Sequence, residues 1–142
     1  MASSVRYDDV EVGFPLPEKS FSLARINLTM YAGASGDFNP IHWNERTAKV
    51  VGLPNVIAHG MLTMAEAGRV LTDWVGDPSA VIEYAVRFSK PVVVPDDDTG
   101  TRLTVGAEVT DKHDDGTVSV ALTATVDGTN VLAHAHARIK LA

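Results

Sequence analysis

Residues 60–75 and the 67 residues that follow them obey two different rhythms, and that change limits the folds open to this chain. Met61, Leu62, Met64, Ala65, Gly68, Leu71 and Val75 recur at three- and four-residue steps, while Glu66, Arg69 and Asp73 hold a narrower polar line. The spacing predicts a helix from about Gly60 to Val75 whose apolar arc is too wide for a surface helix, so most of it should be buried. Met61 and Met64 read as core, and Ala65, Ala67 and Gly68 are small enough for close approach to a sheet. After Gly76-Asp77-Pro78 the period falls to two. Ala80 to Phe88 reads as a strand, and Pro91 to Pro95 as a valine run fenced by prolines, hence an edge or corner. Three further apolar alternations follow: Leu103 to Val109, Val118 to Val126, and Val131, Ala133, Ala135, Ala137, Ile139. The turns Asp114-Asp115-Gly116 and Asp127-Gly128 separate them. One apolar helix and one apolar sheet face must bury each other, which makes this an α+β chain.

Composition narrows the function more than the fold. At 142 residues the chain is read as one domain, residues 1–142. It has no cysteine, which removes disulfides, thiolate nucleophiles and thiolate metal sites. The net charge of −6 and the lack of a basic stripe argue against nucleic acid. Met1 to Arg6 has no apolar core of signal-peptide length, and no apolar run approaches membrane-spanning length, so the expectation is a cytoplasmic protein with no membrane partner. Asp96-Asp97-Asp98 reads as a solvated loop, and His134 and His136 as surface residues, since neither group brings a further metal ligand with it.

Ahead of the main helix the elements are shorter. Tyr7 to Glu18 reads as a lead-in strand or extended arm over the core, and Phe21 and Leu23 as a short edge strand. Arg25 to Ala34 has helical spacing but begins at Ala24, a poor cap. Asn44 caps a helix from Glu45 to Val51, stopped by Gly52 and Pro54.

Between those two helices lies the stretch that carries chemistry, Tyr31 to His42. Asp37 and His42 are five residues apart, which on a helix would point them apart. Gly36 loosens the backbone, however, and Pro40 pushes Asn39 out of the helical region, so a turn here can aim both side chains at one point. A plain Asx turn followed by an exposed histidine is the competing reading. A second unusual stretch, Ile57-Ala58-His59-Gly60-Met61-Leu62-Thr63, favours the chemical one.

Gly36-Asp37-Phe38-Asn39-Pro40-Ile41-His42 followed by Ala58-His59-Gly60-Met61-Leu62 resembles the MaoC-like family of hydratases and dehydratases. The resemblance implies a hotdog fold, in which a curved antiparallel sheet wraps a long central helix. It also implies reversible addition of water across a 2-enoyl thioester. In the dehydration direction this chain would be the catalytic subunit of a (3R)-3-hydroxyacyl-[acyl-carrier-protein] dehydratase, giving a trans-2-enoyl thioester in type II fatty acid elongation. An (R)-specific enoyl-CoA hydratase is the near alternative. The non-enzymatic alternative is the substrate-holding half of a hotdog heterodimer, against which the chain's own Asp37 and His42 argue. Hotdog units pair, so a partner chain is expected, a heterodimer being favoured over a homodimer.

Loss of water needs a base, an acid and a site for developing negative charge on the thioester oxygen. His42 is the candidate base and Asp37 the candidate acid, with the roles open to exchange in a coupled pair. An acid at neutral pH needs a raised pKa, so Asp37 should lie in an apolar cleft. The backbone amide of Gly60, heading the main helix, is the candidate oxyanion donor. Asn39 braces the turn or reaches the substrate. His59 shapes the helix start rather than joining the chemistry. Neither metal nor redox cofactor is called for. Docking an acidic acyl carrier protein would require a local basic patch, for which Arg69, Arg87 and Lys90 are candidates and ordinary solvated surface the alternative for each.

Overall fold

The computed structural model describes residues 3–142; Met1 and Ala2, the start of the segment read as lacking a signal-peptide core, lie outside the described residues. Helix α3, Gly60–Val75, runs over one face of an antiparallel sheet whose strands lie in the order β1-β3-β4-β6-β2. The strands are β1 (Pro15–Leu23), β2 (Val81–Phe88), β3 (Thr101–His113), β4 (Thr117–Val126) and β6 (Leu132–Lys140), with the two-residue β5 (Thr129–Asn130) paired to β4. Two shorter helices, α1 (Arg25–Ser35) and α2 (Glu45–Val50), precede α3. This helix in a curved sheet is the hotdog architecture.

Leu62, Ala67, Val70, Leu71 and Val75 of α3 are buried, facing a sheet layer that includes Leu103, Val105, Val118, Val120 and Ile139. Gly68 lies under Tyr84, whose hydroxyl donates to the Met64 carbonyl at 2.7 Å. α3 ends at Gly76, which takes the left-handed conformation (φ 73°) and donates its amide back to Thr72.

The main helix has the predicted bounds but a different exposure. Met61 is 55% exposed, Ala65 is also exposed and Met64 only half-buried, so the expectation that Met61 belongs to the core is corrected. One sheet covers one side of a helix. An apolar arc wider than that side leaves an uncovered remainder, here the i, i+4 pair Met61 and Ala65.

The last strand keeps its predicted core face at Val131, Ala135, Ala137 and Ile139 and departs from it at Ala133. His134 sits at φ +49°, and the β2–β6 register slips between Arg87↔Ala133 and Ala85↔His136. This bulge interrupts the alternation, so Leu132 rather than Ala133 is buried, while Ala135, Ala137 and Ile139 face the core as expected. The lead-in arm also differs. Tyr7–Asp9 is a 3-10 turn, and the edge strand begins at Pro15, with an irregularity between Leu16 and Lys19. The valine run belongs to no long strand. Val93 makes one bridge to Ile57, and Val92 and Val94 are buried.

Candidate active site

Helix α1 ends at Gly36 in the left-handed conformation (φ 76°), and the chain turns sharply into Asp37. Two nested Asx turns then set the backbone. Asp37 Oδ1 accepts from the Asn39 amide at 3.1 Å, and Asn39 Oδ1 accepts from the Ile41 amide at 3.2 Å. Pro40 opens the single 3-10 turn Pro40–His42 that Asn39 caps, and the turn delivers the His42 imidazole inward. Asn39 therefore braces this turn through both its amide and its side chain.

Backbone bonds fix the second strip of the site. Ile57 donates its amide to Ile41, Ala58 donates to Val92, and Val94 donates to Val56 (3.2, 2.8 and 3.0 Å). The proline-fenced valines thus clamp residues 56–58 against the turn. His42 Nδ1–H donates to the Ile57 carbonyl at 2.7 Å, which fixes the tautomer and leaves Nε2 bare. Nε2 lies 3.9 Å from Asp37 Oδ2. His42 is 7% exposed. Its burial holds the imidazole below its ordinary pKa; the nearby His59 lowers it further, whereas the Ile57 carbonyl and Asp37 oppose the shift. The ring is therefore neutral at pH 7, with a free lone pair.

The turn and the helix head meet at His59, the residue before α3. Its ring stacks on His42 with centroids 3.8 Å apart and planes 23° apart, and its Nε2–H donates to the Asp37 carbonyl at 3.1 Å. Tyr31 from α1 packs on its other contact at 4.8 Å. His59 does shape the helix start, but it also fixes His42 and Asp37 at once. The run Ala58-His59-Gly60 gave no sign of that, because a stack across 17 residues has no local pattern.

Asp37, His42 and His59 each offer a ligand atom within 4.8 Å of the others. The donor set nevertheless does not fit a cation. A metal lies in the plane of each imidazole that binds it, about 2.0–2.1 Å from the nitrogen. Two rings stacked as these are have no common point at that distance.

A cavity of about 300 Å³ opens beside this cluster. His42, Ala58, Gly60 and Thr63 line it, together with Phe88, Lys90, Val92, Val131 and Leu132. Gly60 opens α3, and a Cβ there would stand 2.9 Å from the Phe88 ring, so only glycine leaves the helix head clear. The amides of Leu62 and Thr63 close onto the His59 carbonyl, whereas those of Gly60 and Met61 have no intrahelical acceptor.

The structure thus puts His42 and Gly60 on one cavity wall, Asp37 beside His42, and Asn39 in the turn between them. One expectation fails: Asp37 is not in an apolar cleft. Its side chain is half exposed and the cavity wall does not include it. The turn that presents Asp37 bulges from the surface, and only its imidazole end is covered. The candidate basic residues separate too. Arg69 pairs with Glu66 at 2.8 Å and lies over Phe21, Arg87 sits on β2, and Lys90 stands at the cavity wall.

The long helix laid over one antiparallel sheet places this chain among the hotdog-fold proteins. Within that class, the MaoC-like domain family matches residues 12–127, and the chain belongs to it. It is 41% identical over 81 residues to 3-hydroxyacyl-thioester dehydratase X of Mycobacterium tuberculosis, a stretch covering 57% of this chain and 28% of that protein. It is 32% identical over 105 residues to the (R)-specific enoyl-CoA hydratase of Rhodospirillum rubrum, covering 70% of this chain and 69% of that one. A solved MaoC-like dehydratase superposes with a TM-score of 0.95 at 39% identity, covering 99% of this chain and 44% of that one. The chain therefore spans about a quarter of dehydratase X and under half of that dehydratase structure. Among the described residues no helix is long and apolar enough to cross a membrane.

Proposed function

We propose that this chain interconverts a (3R)-3-hydroxyacyl thioester and its trans-2-enoyl product, as the catalytic subunit of a 3-hydroxyacyl-[acyl-carrier-protein] dehydratase in fatty acid elongation. The observation that carries this reading is the 3.9 Å gap between His42 Nε2 and Asp37 Oδ2. It is too wide for a direct hydrogen bond, yet one oxygen atom placed between them lies about 2.8 Å from both. That oxygen is the substrate's 3-hydroxyl, or the water it becomes.

In the dehydration direction, His42 Nε2 takes the C2 proton. The C3–O bond then breaks as Asp37 supplies a proton to the departing oxygen. The imidazolium and carboxylate left behind exchange protons through the released water. The Gly60 amide donates a hydrogen bond to the thioester oxygen as negative charge builds there, aided by the positive end of α3. Because the two titrating groups are coupled, the pair is the unit of chemistry. Asp37 is half exposed here, and bound substrate or a second chain would cover it.

A second hotdog chain belongs to this reading, and a heterodimer fits it best. Phe88 is exposed at the cavity wall, Met61 and Ala65 are exposed on α3, and the outer edge of β2 has no strand partner among the described residues. A pairing chain would cover that apolar remainder and complete the acyl channel. A coenzyme A thioester is the alternative substrate, supported by the hydratase relative. Purification from the native host, followed by hydration assays on crotonyl thioesters of both carriers, tests the proposal. Asp37→Asn and His42→Ala should each lower kcat/KM by about 10²–10⁴-fold. Rates near wild type for both variants in the assembled complex would end it.

A further inference from the structure

Thr63 stands out among the buried polar groups. It is 2% exposed, it lines the cavity together with His42 and Gly60, and its Oγ, like His59 Nδ1, has no hydrogen-bond partner among the described residues. A buried hydroxyl left in that state costs free energy, so it is retained only where something else satisfies it.

The ordinary resting place for a threonine hydroxyl inside a helix is the carbonyl four residues back. Here that carbonyl belongs to His59, and it already accepts the amides of both Leu62 and Thr63, at 3.0 and 3.1 Å. The Thr63 hydroxyl is thus displaced from its usual local acceptor. Direction then decides where it can act. Thr63 lies three residues after Gly60 on α3, hence on the same face, and helical side chains lean toward the helix N-terminus. The hydroxyl and the Gly60 amide therefore address the same end of the cavity.

We propose that Thr63 Oγ–H is a second hydrogen-bond donor to the carbonyl oxygen of the bound thioester, acting beside the Gly60 N–H. This rests on the thioester reading above and deepens it. One donor fixes only a distance; two donors from adjacent turns also fix the plane of the forming enolate, which aligns the C2–H bond with His42 Nε2. The strongly apolar surroundings (Ala58, Val92 and Leu132 line the same cavity) make such a donor more effective than it would be in water.

Thr63→Val replaces the hydroxyl by a methyl of similar shape. In the complex purified with its partner, kcat/KM for hydration of crotonyl-CoA should fall by about 10²-fold. Thr63→Ser should stay within a few-fold of wild type, and the Tm of the valine variant should be equal to or above that of wild type, since no internal hydrogen bond is lost. Thr63→Ala repeats the measurement should the valine variant fail to assemble. Hydration by Thr63→Val within twofold of wild type, or a fall in Tm that the serine variant reverses, overturns the proposal. His42→Ala is measured alongside. Loss of activity there with none at Thr63 sinks only the donor role, whereas a wild-type complex that hydrates no enoyl thioester sinks both readings.

Discussion

Two aspartates in this molecule sit in nearly the same local device. Asp37 Oδ1 accepts from the Asn39 amide at 3.1 Å, and Asp97 Oδ1 accepts from the Thr99 amide at 3.0 Å. Both are exposed and both follow a loosened stretch of chain. The difference lies underneath. Asp97 turns all its bonding back on its own loop, adding the Thr99 hydroxyl and the Gly100 amide, and these donors hold its carboxyl below the usual range. Asp37 commits one oxygen to its turn and presents the other to a buried, neutral imidazole. The same Asx motif closes on itself in one place and faces a buried ring in the other, depending on what the backbone is clamped to.

Exchanging the pair is the sharpest way to break that contrast. Asp37→Asn should cost about 10²–10⁴-fold in hydration rate, and Asp97→Asn nothing measurable. The Asp97 change should appear in stability alone. A carboxyl with a lowered folded pKa stabilises the fold above its unfolded value of 3.8 and ceases to do so as pH falls through the lower folded value. Wild type and Asp97→Asn should thus differ in Tm at pH 7 and converge in strong acid. Equal activity losses for the two asparagine variants would erase the distinction.

A smaller effect belongs to His59. His59→Phe keeps a ring against His42 but removes the bond to the Asp37 carbonyl, so the turn should loosen and kcat fall about 10-fold. If KM alone changes, His59 acts on the substrate rather than on the turn.

The smallest effect is a titration. Burial lowers the His42 pKa, so the unfolded chain takes up the proton first as pH drops below about 6.5. Stability contributed by the neutral ring is complete above 6.5 and declines until the folded value is passed. NMR titration should place that folded value below 6.5. It should fall further in Asp37→Asn, since the carboxylate opposes the shift, and rise in His59→Phe, since His59 adds to it. A value at or above 6.5 would contradict the burial account.

What the sequence disclosed divides along the same line as the two aspartates. Local chemistry was legible: the bounds of α3, the Asn44 cap that accepts from Thr47, the glycine stops and the paired alternations of β3 and β4. So was the Asp37–His42 meeting, because Gly36, Asn39 and Pro40 dictate a turn with few conformations. Contacts between distant segments were not. The stack of His59 on His42, and the clamp of Val92–Val94 on 56–58, join residues whose spacing carries no period. The exposed Met61 was misread because hydrophobicity reports what could be buried, and not which side of the helix this chain covers. Ala133 alone of the predicted β6 face was misplaced, beside one residue at positive φ that pattern matching by twos cannot register.

The strip holding the imidazoles is tied by main-chain bonds, through Ile41, Ile57, Ala58, Val92 and Val94. Peptide groups are common to every residue type, so mutation can reshape the walls while the reacting atoms stay put. A scaffold of that kind lets the cavity be recut in size and shape while the two rings keep their stacking and their backbone anchor.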